Sequence, residues 1–237
     1  ADNRPRWTSN RINATVANAT VLKNVSDGTN WNTSFSAKKT MRDAFVQVAY
    51  NYGEARNSFD PGSIASGSWT NNQHSSDPNN PGLGYSQYSP GHRFFVNANY
   101  RKEYFDFGAT AFSLFWETRT IGNASYIFSG DANGDGSSFN DLVYIHRDQS
   151  EMNFSQFTSG GAVYTAAAQA AAWDAYIAQD AYLSEHRGEY AQRGAVFLPR
   201  VTRMDLSVSQ DIFKQMGGTR HRFQIRADFI NFGNLLN

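Results

Sequence analysis

The chain has 237 residues, no cysteine and 21 basic against 21 acidic side chains, so its formal charge is zero. That balance lacks the basic footprint of a nucleic-acid binder, and the missing cysteine removes disulfide scaffolds, thiolate metal sites and Cys nucleophiles. No apolar run approaches the roughly 18 residues of a membrane helix. A membrane β-barrel is still allowed, because its strands average apolar and polar residues into a mildly hydrophilic chain, as the mean hydropathy of −0.57 does here.

The chain opens on "ADNRPRW", which has no basic stretch, apolar stretch or cleavage site, so any export signal is expected upstream or already removed. Two weak strands are expected over residues 11–25 and 31–40, and a stronger one over 44–55. In the last, Val46, Val48, Tyr50 and Tyr52 share one face, while Gln47, Asn51 and Gly53 share the other with Phe45 and Ala49. Residues 56–91 are dense in Pro, Gly, Asn and Ser and read as a solvated surface loop. Its aromatics Trp69, Tyr85 and Tyr88, with His74, are candidates for gripping a sugar or another flat ligand.

A strand over 92–104 sets Phe94, Val96, Ala98 and Tyr100 against Asn97, Asn99 and Arg101. The next, 108–118, sets Phe112, Leu114 and Trp116 against Ser113 and Glu117.

The long segment 122–199 carries "GDANGDGSSFND" at 130–141. Asp131, Asn133, Asp135, Gly136 and Ser137 fill positions 1, 3, 5, 6 and 7 of a calcium loop. Position 12 is Leu142, and Asp141 comes one residue early, so the match is to a calcium-compatible turn and not to an EF-hand. Asp131, Asn133, Asp135, Ser137 and Asp141 are the candidate ligands, with calcium the one cofactor the sequence points to. Asp, Asn and Gly in succession also make good turns with no metal.

Further along, "YTAAAQAAAWDAYIAQDAYL" predicts a single helix, with Trp173, Tyr176, Ile177, Asp180 and Leu183 at helical spacing and Gly188 as its stop. Arg187, Arg193 and Arg200 follow, and pairing with loop carboxylates is expected of them. Two strands close the chain. In 203–211, Met204, Leu206 and Val208 oppose Arg203, Asp205, Ser207 and Ser209. In 222–231, Phe223, Ile225, Ala227 and Phe229 oppose Arg222, Arg226 and Asp228.

The sum is an all-β, antiparallel pattern of roughly seven strands, several of them longer than the five or six residues usual in globular proteins and long enough to cross a bilayer. Tight turns near 39–43, 102–106 and 215–219 alternate with the long connections 56–91 and 122–199. Short turns on one side and long loops on the other are the habit of outer-membrane barrels. In such a barrel Arg203, Asp205, Arg222, Arg226 and Asp228 line the lumen. Trp31, Tyr52, Tyr100, Tyr104, Phe107 and Trp116 sit in the interfacial aromatic girdles. The long loops are extracellular, one carrying the helix. No H-E-x-x-H, G-x-S-x-G or phosphate loop is present, and the five histidines are scattered, so no enzyme is expected.

The segments "GDANGDGSSFNDLVYI", "LSEHRGEYAQRGAVFLPRVTRMDLSVSQDIF" and "HRFQIRADFINFGNLLN" resemble the C-terminal barrel portion of TonB-dependent outer-membrane receptors, of the Oar-like group. "VLKNVSDGTNWNTSFSAKK", "FVQVAYNYGEARN" and "SPGHRFFVNANY" resemble the preceding strands, in the same order. The resemblance implies a barrel of about 22 strands closed by a plug, which moves a bulky ligand across the outer membrane with energy from a TonB complex. These residues contain no plug, TonB box or closing strand of that family, so residues 1–237 are expected to be part of such a barrel. Its partners are the outer-membrane bilayer, the TonB complex acting through the plug, and an unidentified bulky ligand. A passive porin is the alternative within membranes, and a soluble, calcium-stabilised β-domain binding carbohydrate or a protein the alternative outside them.

Overall fold

The computed structural model describes residues 2–8, 13–16, 19–62 and 64–235. The strands in chain order are β1 (Thr29–Thr40), β2 (Ala44–Asn57), β3 (Gly84–Tyr85), β4 (Gly91–Tyr104), β5 (Gly108–Arg119), β6 (Asn123–Ala124), β7 (Phe157–Ser159), β8 (Ala162–Tyr164), β9 (Val196–Phe197), β10 (Val201–Met216) and β11 (Thr219–Phe229). The helices are α1 (Ala65–Asn71), α2 (Ala166–Gln179) and α3 (Ala181–Glu185). None is long and apolar enough to cross a membrane.

Six long strands form one antiparallel sheet in the order β1, β2, β4, β5, β10, β11, with the two-residue β3 joined to the end of β2. Among the described residues the sheet is open, with β1 and β11 as its edges. Short turns join β1 to β2, β4 to β5 and β10 to β11, as expected. The last is a two-residue Gly217-Gly218 hairpin whose φ of +58° and +81° glycine adopts without strain.

The strand expected over 11–25 is absent from its described residues, 13–16 and 19–25; residues 11, 12, 17 and 18 lie outside the described set. Asn13 turns the chain instead, its Oδ1 accepting the Thr15 N–H at 2.9 Å and its carbonyl the Val16 N–H at 3.3 Å. The final strands are longer than, or displaced from, the expected 203–211 and 222–231, because the Gly-Gly turn lets both continue to residues 216 and 219.

Register gives this sheet two chemically different faces. Val46 lies opposite Ala98, Ala98 opposite Leu114, Leu114 opposite Leu206 and Leu206 opposite Phe229. The rows beside it run Val48, Val96, Trp116, Met204 and Ala44, Tyr100, Phe112, Val208, Ala227. On the reverse face the rows run Phe45, Asn99, Ser113, Ser207, Asp228 and Ala49, Phe95, Glu117, Arg203. All five of Arg203, Asp205, Arg222, Arg226 and Asp228 fall on that reverse face, in ion pairs such as Arg203–Asp205 at 2.7 Å and Arg226–Asp228 at 2.8 Å.

Among the described residues no side chain of the apolar face is buried, though Val46, Ala98, Leu114 and Leu206 are half-buried. Phe112 is 46% and Phe223 63% exposed, and among the described residues Ala109 is the one buried apolar side chain of the long strands. Aromatics gather toward strand ends: Trp31 meets Tyr52 edge-on at 5.2 Å, Tyr52 stacks on His92 at 4.4 Å, and Phe105 stacks on Phe107 at the β4–β5 turn.

The chain divides into two compact units: Trp31–Glu54, Pro90–Gly122 and Leu198–Asn237, which hold most of the sheet, and Ala1–Asn30, Ala55–Ser89 and Asn123–Phe197, made of the long connections. The second unit, hereafter the loop unit, has its own apolar centre of Ile145, Ile177, Leu183 and Ala191, with Tyr126, Met152, Trp173 and Tyr182 packed on it. The expected single helix is two helices. Thr165 caps α2 by accepting the Ala168 N–H at 3.2 Å, and Asp180 breaks the run by capping α3, accepting the N–H of Tyr182 at 3.0 Å and of Leu183 at 2.8 Å. An Asp side chain competes with the helix for its own backbone, which favours caps over interiors. The helix end comes at Glu185, with Gly188, at φ +86°, three residues on.

Leu183→Ala should cost the loop unit about 2–5 kcal/mol, the usual cost of a cavity at a fully buried Leu. Amide exchange within 123–197 measures this, and unchanged protection there would refute the packed centre.

Candidate ligand-binding site

Within the loop unit, residues 131–142 tie together three separate stretches of chain. The Asp131 carboxylate turns back on its own loop and accepts the N–H of Gly134 at 2.6 Å, Asp135 at 3.1 Å and Gly136 at 3.0 Å. Gly134 sits at φ +81°, and a Cβ there would lie 2.8 Å from the Trp7 carbonyl oxygen, so the site needs glycine twice over. Trp7 in turn donates its backbone N–H to Asn133 and its indole N–H to the Ser76 carbonyl.

Asp135 and Asp141 are the two knots. Asp135 Oδ2 lies 3.1 Å from His74 Nε2 and accepts the amides of Asn140 at 2.9 Å and Asn133 at 3.2 Å. Burial pushes the Asp135 carboxyl up, but these bonds, the Ser137 N–H and the nearby His74 outweigh it and hold it below its ordinary 3.8. Asp141, fully buried, accepts the Ala132 N–H at 2.7 Å and pairs with the Arg4 guanidinium at 2.7 Å. Arg4 also reaches the Leu142 carbonyl, and its guanidinium lies over the Tyr190 ring. His74 exchanges backbone hydrogen bonds with Asn140 and Leu142. Residues 56–91 are therefore not the wholly solvated loop expected: Asn72, His74, Ser86 and Ser89 are buried, since each polar atom that leaves water finds a partner across the unit. Two exceptions are His74 Nδ1 and Asn140 Oδ1, buried with no partner among the described residues.

A cavity of about 590 Å³ opens elsewhere in the same unit, between α1, β3, β6 and the stretch 193–194. Asp60 and Arg193 are the charged groups among its described lining residues, 3.8 Å apart. Asp60 accepts from Asn57, Ser86 and the Gln87 N–H; burial pushes its carboxyl up, but these bonds and Arg193 leave it below 3.8. Arg193 donates to Asn72 Oδ1 at 2.9 Å and to Asn57 Oδ1 at 2.7 Å, and burial lowers the affinity of its guanidinium for its proton.

Of the three loop aromatics singled out from sequence, Tyr85 lines this cavity, braced edge-on by Phe197 at 5.1 Å and covered by the Arg56 guanidinium at 4.2 Å. Trp69 lies on α1 and Tyr88 is 70% exposed; neither lines the cavity, and among the described residues no ring contact joins the three. Arg187 pairs with Asp174 at 2.9 Å, as expected of it. Asp131, Asn133, Asp135 and Ser137 share one turn, whereas Asp141 faces Arg4; among the described residues no three His, Asp or Glu side chains converge as a metal-binding group.

Sequence reasoning did not single out Arg4, Asp60 or Asn140. The "DPG" at 60–62 signals a turn, but no local pattern pairs residue 4 with residue 141 or residue 60 with residue 193. On the sheet it also passed over Asp211, which is buried and holds Arg222, Arg101 and Gln224.

No family model matches this chain, and neither does any curated protein or solved structure.

Arg4→Ala should destabilise the loop unit by about 3–5 kcal/mol, because it strands a buried carboxylate at Asp141. Acid should act in the same direction. Asp60 and Asp135 have folded values below 3.8, so their stabilisation is complete above that pH and is lost as the pH falls below it. An acid titration followed by near-ultraviolet circular dichroism and by amide exchange in 123–197 reads both effects; a loop unit equally protected at pH 7 and pH 2 would contradict them.

Proposed function

We propose that the chain is part of an outer-membrane β-barrel, of the TonB-dependent receptor type its segments resemble, and that it helps move a bulky ligand across the outer membrane. The observation that carries this reading is the apolar face that extends from β2 to β11 with none of its described side chains buried. A soluble sheet buries such a face against a second layer, and in water a continuous apolar surface of this kind drives association. Hydrocarbon is a solvent that stabilises it. Strands of 11 to 16 residues, at about 3.4 Å per residue, are long enough to cross a bilayer at a tilt.

The opposite face suits a water-filled lumen, with Arg203, Asp205, Arg222, Arg226 and Asp228 lining it in ion pairs and the amides of Asn97 and Asn99 on the same face. In lipid the open edges at β1 and β11 have to be paired, since unsatisfied backbone groups cost several kcal/mol each there. On this reading further barrel strands supply that pairing, the TonB complex supplies energy, and the loop unit recognises the ligand.

A calcium ion in the loop at 131–137 is a second proposal, carried by its oxygens. Asp131 Oδ2, Asn133 Oδ1 and Asp135 Oδ1 each accept a single N–H, from Gly136, Asp135 and Ser137 respectively, which leaves each with a lone pair for a hard cation. Its role is to stiffen the turn. Calorimetric titration with calcium should show one saturable event, abolished in Asp131→Ala and Asp135→Ala; a flat titration of the native chain would remove the ion from the account.

The membrane reading is tested by refolding the chain with phosphatidylcholine vesicles and floating them on a density gradient. The native chain should float with lipid. Leu114→Arg, on the apolar face, should lower the floating fraction by the equivalent of about 2–4 kcal/mol, while Ser113→Arg, on the polar face, should leave it unchanged. A chain that is monodisperse in buffer without detergent or lipid would overturn the proposal.

A further inference from the structure

We propose that the cavity between α1, β3 and β6 is a binding site for a neutral, hydroxyl-rich ligand: one or two sugar rings of an oligosaccharide. The proposal rests on reading the loop unit as the part that recognises ligand, and it names the chemistry of that ligand. The volume, about 590 Å³, lies within the range of about 300–1,000 Å³ usual for small-molecule sites.

Charge is the first discriminator. Asp60 and Arg193 are opposite in sign and 3.8 Å apart. Both are engaged already, Asp60 by Asn57, Ser86 and the Gln87 N–H, Arg193 by Asn72 and Asn57. An anionic ligand would have to take Arg193 from these partners, and a cationic one would have to take Asp60 from its three donors. Neither has a charged group waiting for it.

The polar groups left over are amides. Asn71, Gln73 and Gln87 line the cavity, and among the described residues their side chains have no hydrogen-bond partner; Asn123 uses its amide N–H on the Ser86 carbonyl, and among the described residues nothing donates to its Oδ1. A primary amide is a donor and an acceptor at once, and so is a hydroxyl, so each ring hydroxyl can be met in either sense. Tyr85 adds apolar contact to the lining, with its ring covered by Arg56 and met edge-on by Phe197. An apolar ligand is disfavoured, because it would strip water from these amides and return no hydrogen bonds. A peptide is disfavoured as well: Ile64 is the one aliphatic side chain larger than alanine or proline among the described lining residues, which leaves no pocket for an apolar peptide side chain.

The test is saturation-transfer NMR and calorimetry on the full chain, folded in an amine-oxide detergent that carries no sugar. The probes are neutral gluco-, manno- and galacto-oligosaccharides of two to six units, with inorganic phosphate and an uncharged pentapeptide as the other arms. At least one neutral oligosaccharide should bind saturably, and the triple variant Asn71→Ala, Gln73→Ala, Gln87→Ala should weaken it tenfold or more. Tyr88→Ala, outside the cavity, should leave it unchanged and serves as the folding control. No saturable binding by any neutral oligosaccharide overturns the proposal, as does binding undiminished in the triple variant, or saturable binding by phosphate or peptide alone. Vesicle flotation reads the sheet and sugar titration reads the loop unit, so Leu114→Arg, which touches no lining residue, separates failure of the membrane reading from failure of this one.

Discussion

Cross-strand register is the constraint on which the sheet depends. Across the ladders from β2 to β11, the rows of Val46, Val48 and Ala44 pair apolar with apolar on one face, while the reverse face sets polar side chains among Phe45, Phe95 and Phe115. Because the side-chain period of a strand is two, a slip of a single residue in any ladder would send Leu114, Trp116 and Phe112 to the face of Arg203 and Asp205. The short turns help prevent such a slip, Gly217-Gly218 at one hairpin and the Lys102–Asp43 ion pair at 2.7 Å beside another. The consequence is a sheet whose two faces suit two different solvents, and that division is the basis of the membrane proposal.

The loop unit solves a different problem. Its apolar centre is small, a handful of side chains around Ile145, Ile177 and Leu183, so much of its order has to come from polar groups. Those groups are short-range and directional, and they are effective because they are buried. A charge-assisted bond such as Arg4 to Asp141 is stronger than a neutral one, and removing one partner leaves the other with the full penalty of desolvation. The unit thereby holds long connections, which carry little regular structure, in one arrangement. A fixed arrangement is what a recognition site needs, since a frame that is already ordered does not have to be ordered when ligand arrives. The neutral, amide-lined cavity and the proposed calcium turn both draw on that rigidity.

Much of the sheet was legible beforehand because its signal is local and repeated. Alternation at Val46, Val48 and Tyr50, or at Met204, Leu206 and Val208, needs only neighbouring residues to be read, and Gly217-Gly218 marks its own turn. Where local reading failed, a short-range polar competitor had won: Asn13 turned a stretch expected to be a strand, and Asp180 capped a second helix where one was expected. The segment 56–91 misled for a related reason. Its polar composition is that of a solvated loop, yet His74 and Asn72 are buried because their partners lie far off in sequence, at Asp135, Asn140 and Arg193.

The sequence by itself determined the antiparallel strands, the polar identity of Arg203, Asp205, Arg222, Arg226 and Asp228, the tight turns and the Asp-Asn-Asp turn at 131–135, because each is written in residues a few positions apart. Only the tertiary structure decided that Arg4 closes on Asp141, that Asp60 neutralises Arg193, and that Tyr85, not Trp69 or Tyr88, shares a cavity with unpaired amides. Those are contacts between residues tens to more than a hundred positions apart. Loop composition says that such residues are polar; which of them meet is decided by the packing that brings the connections together.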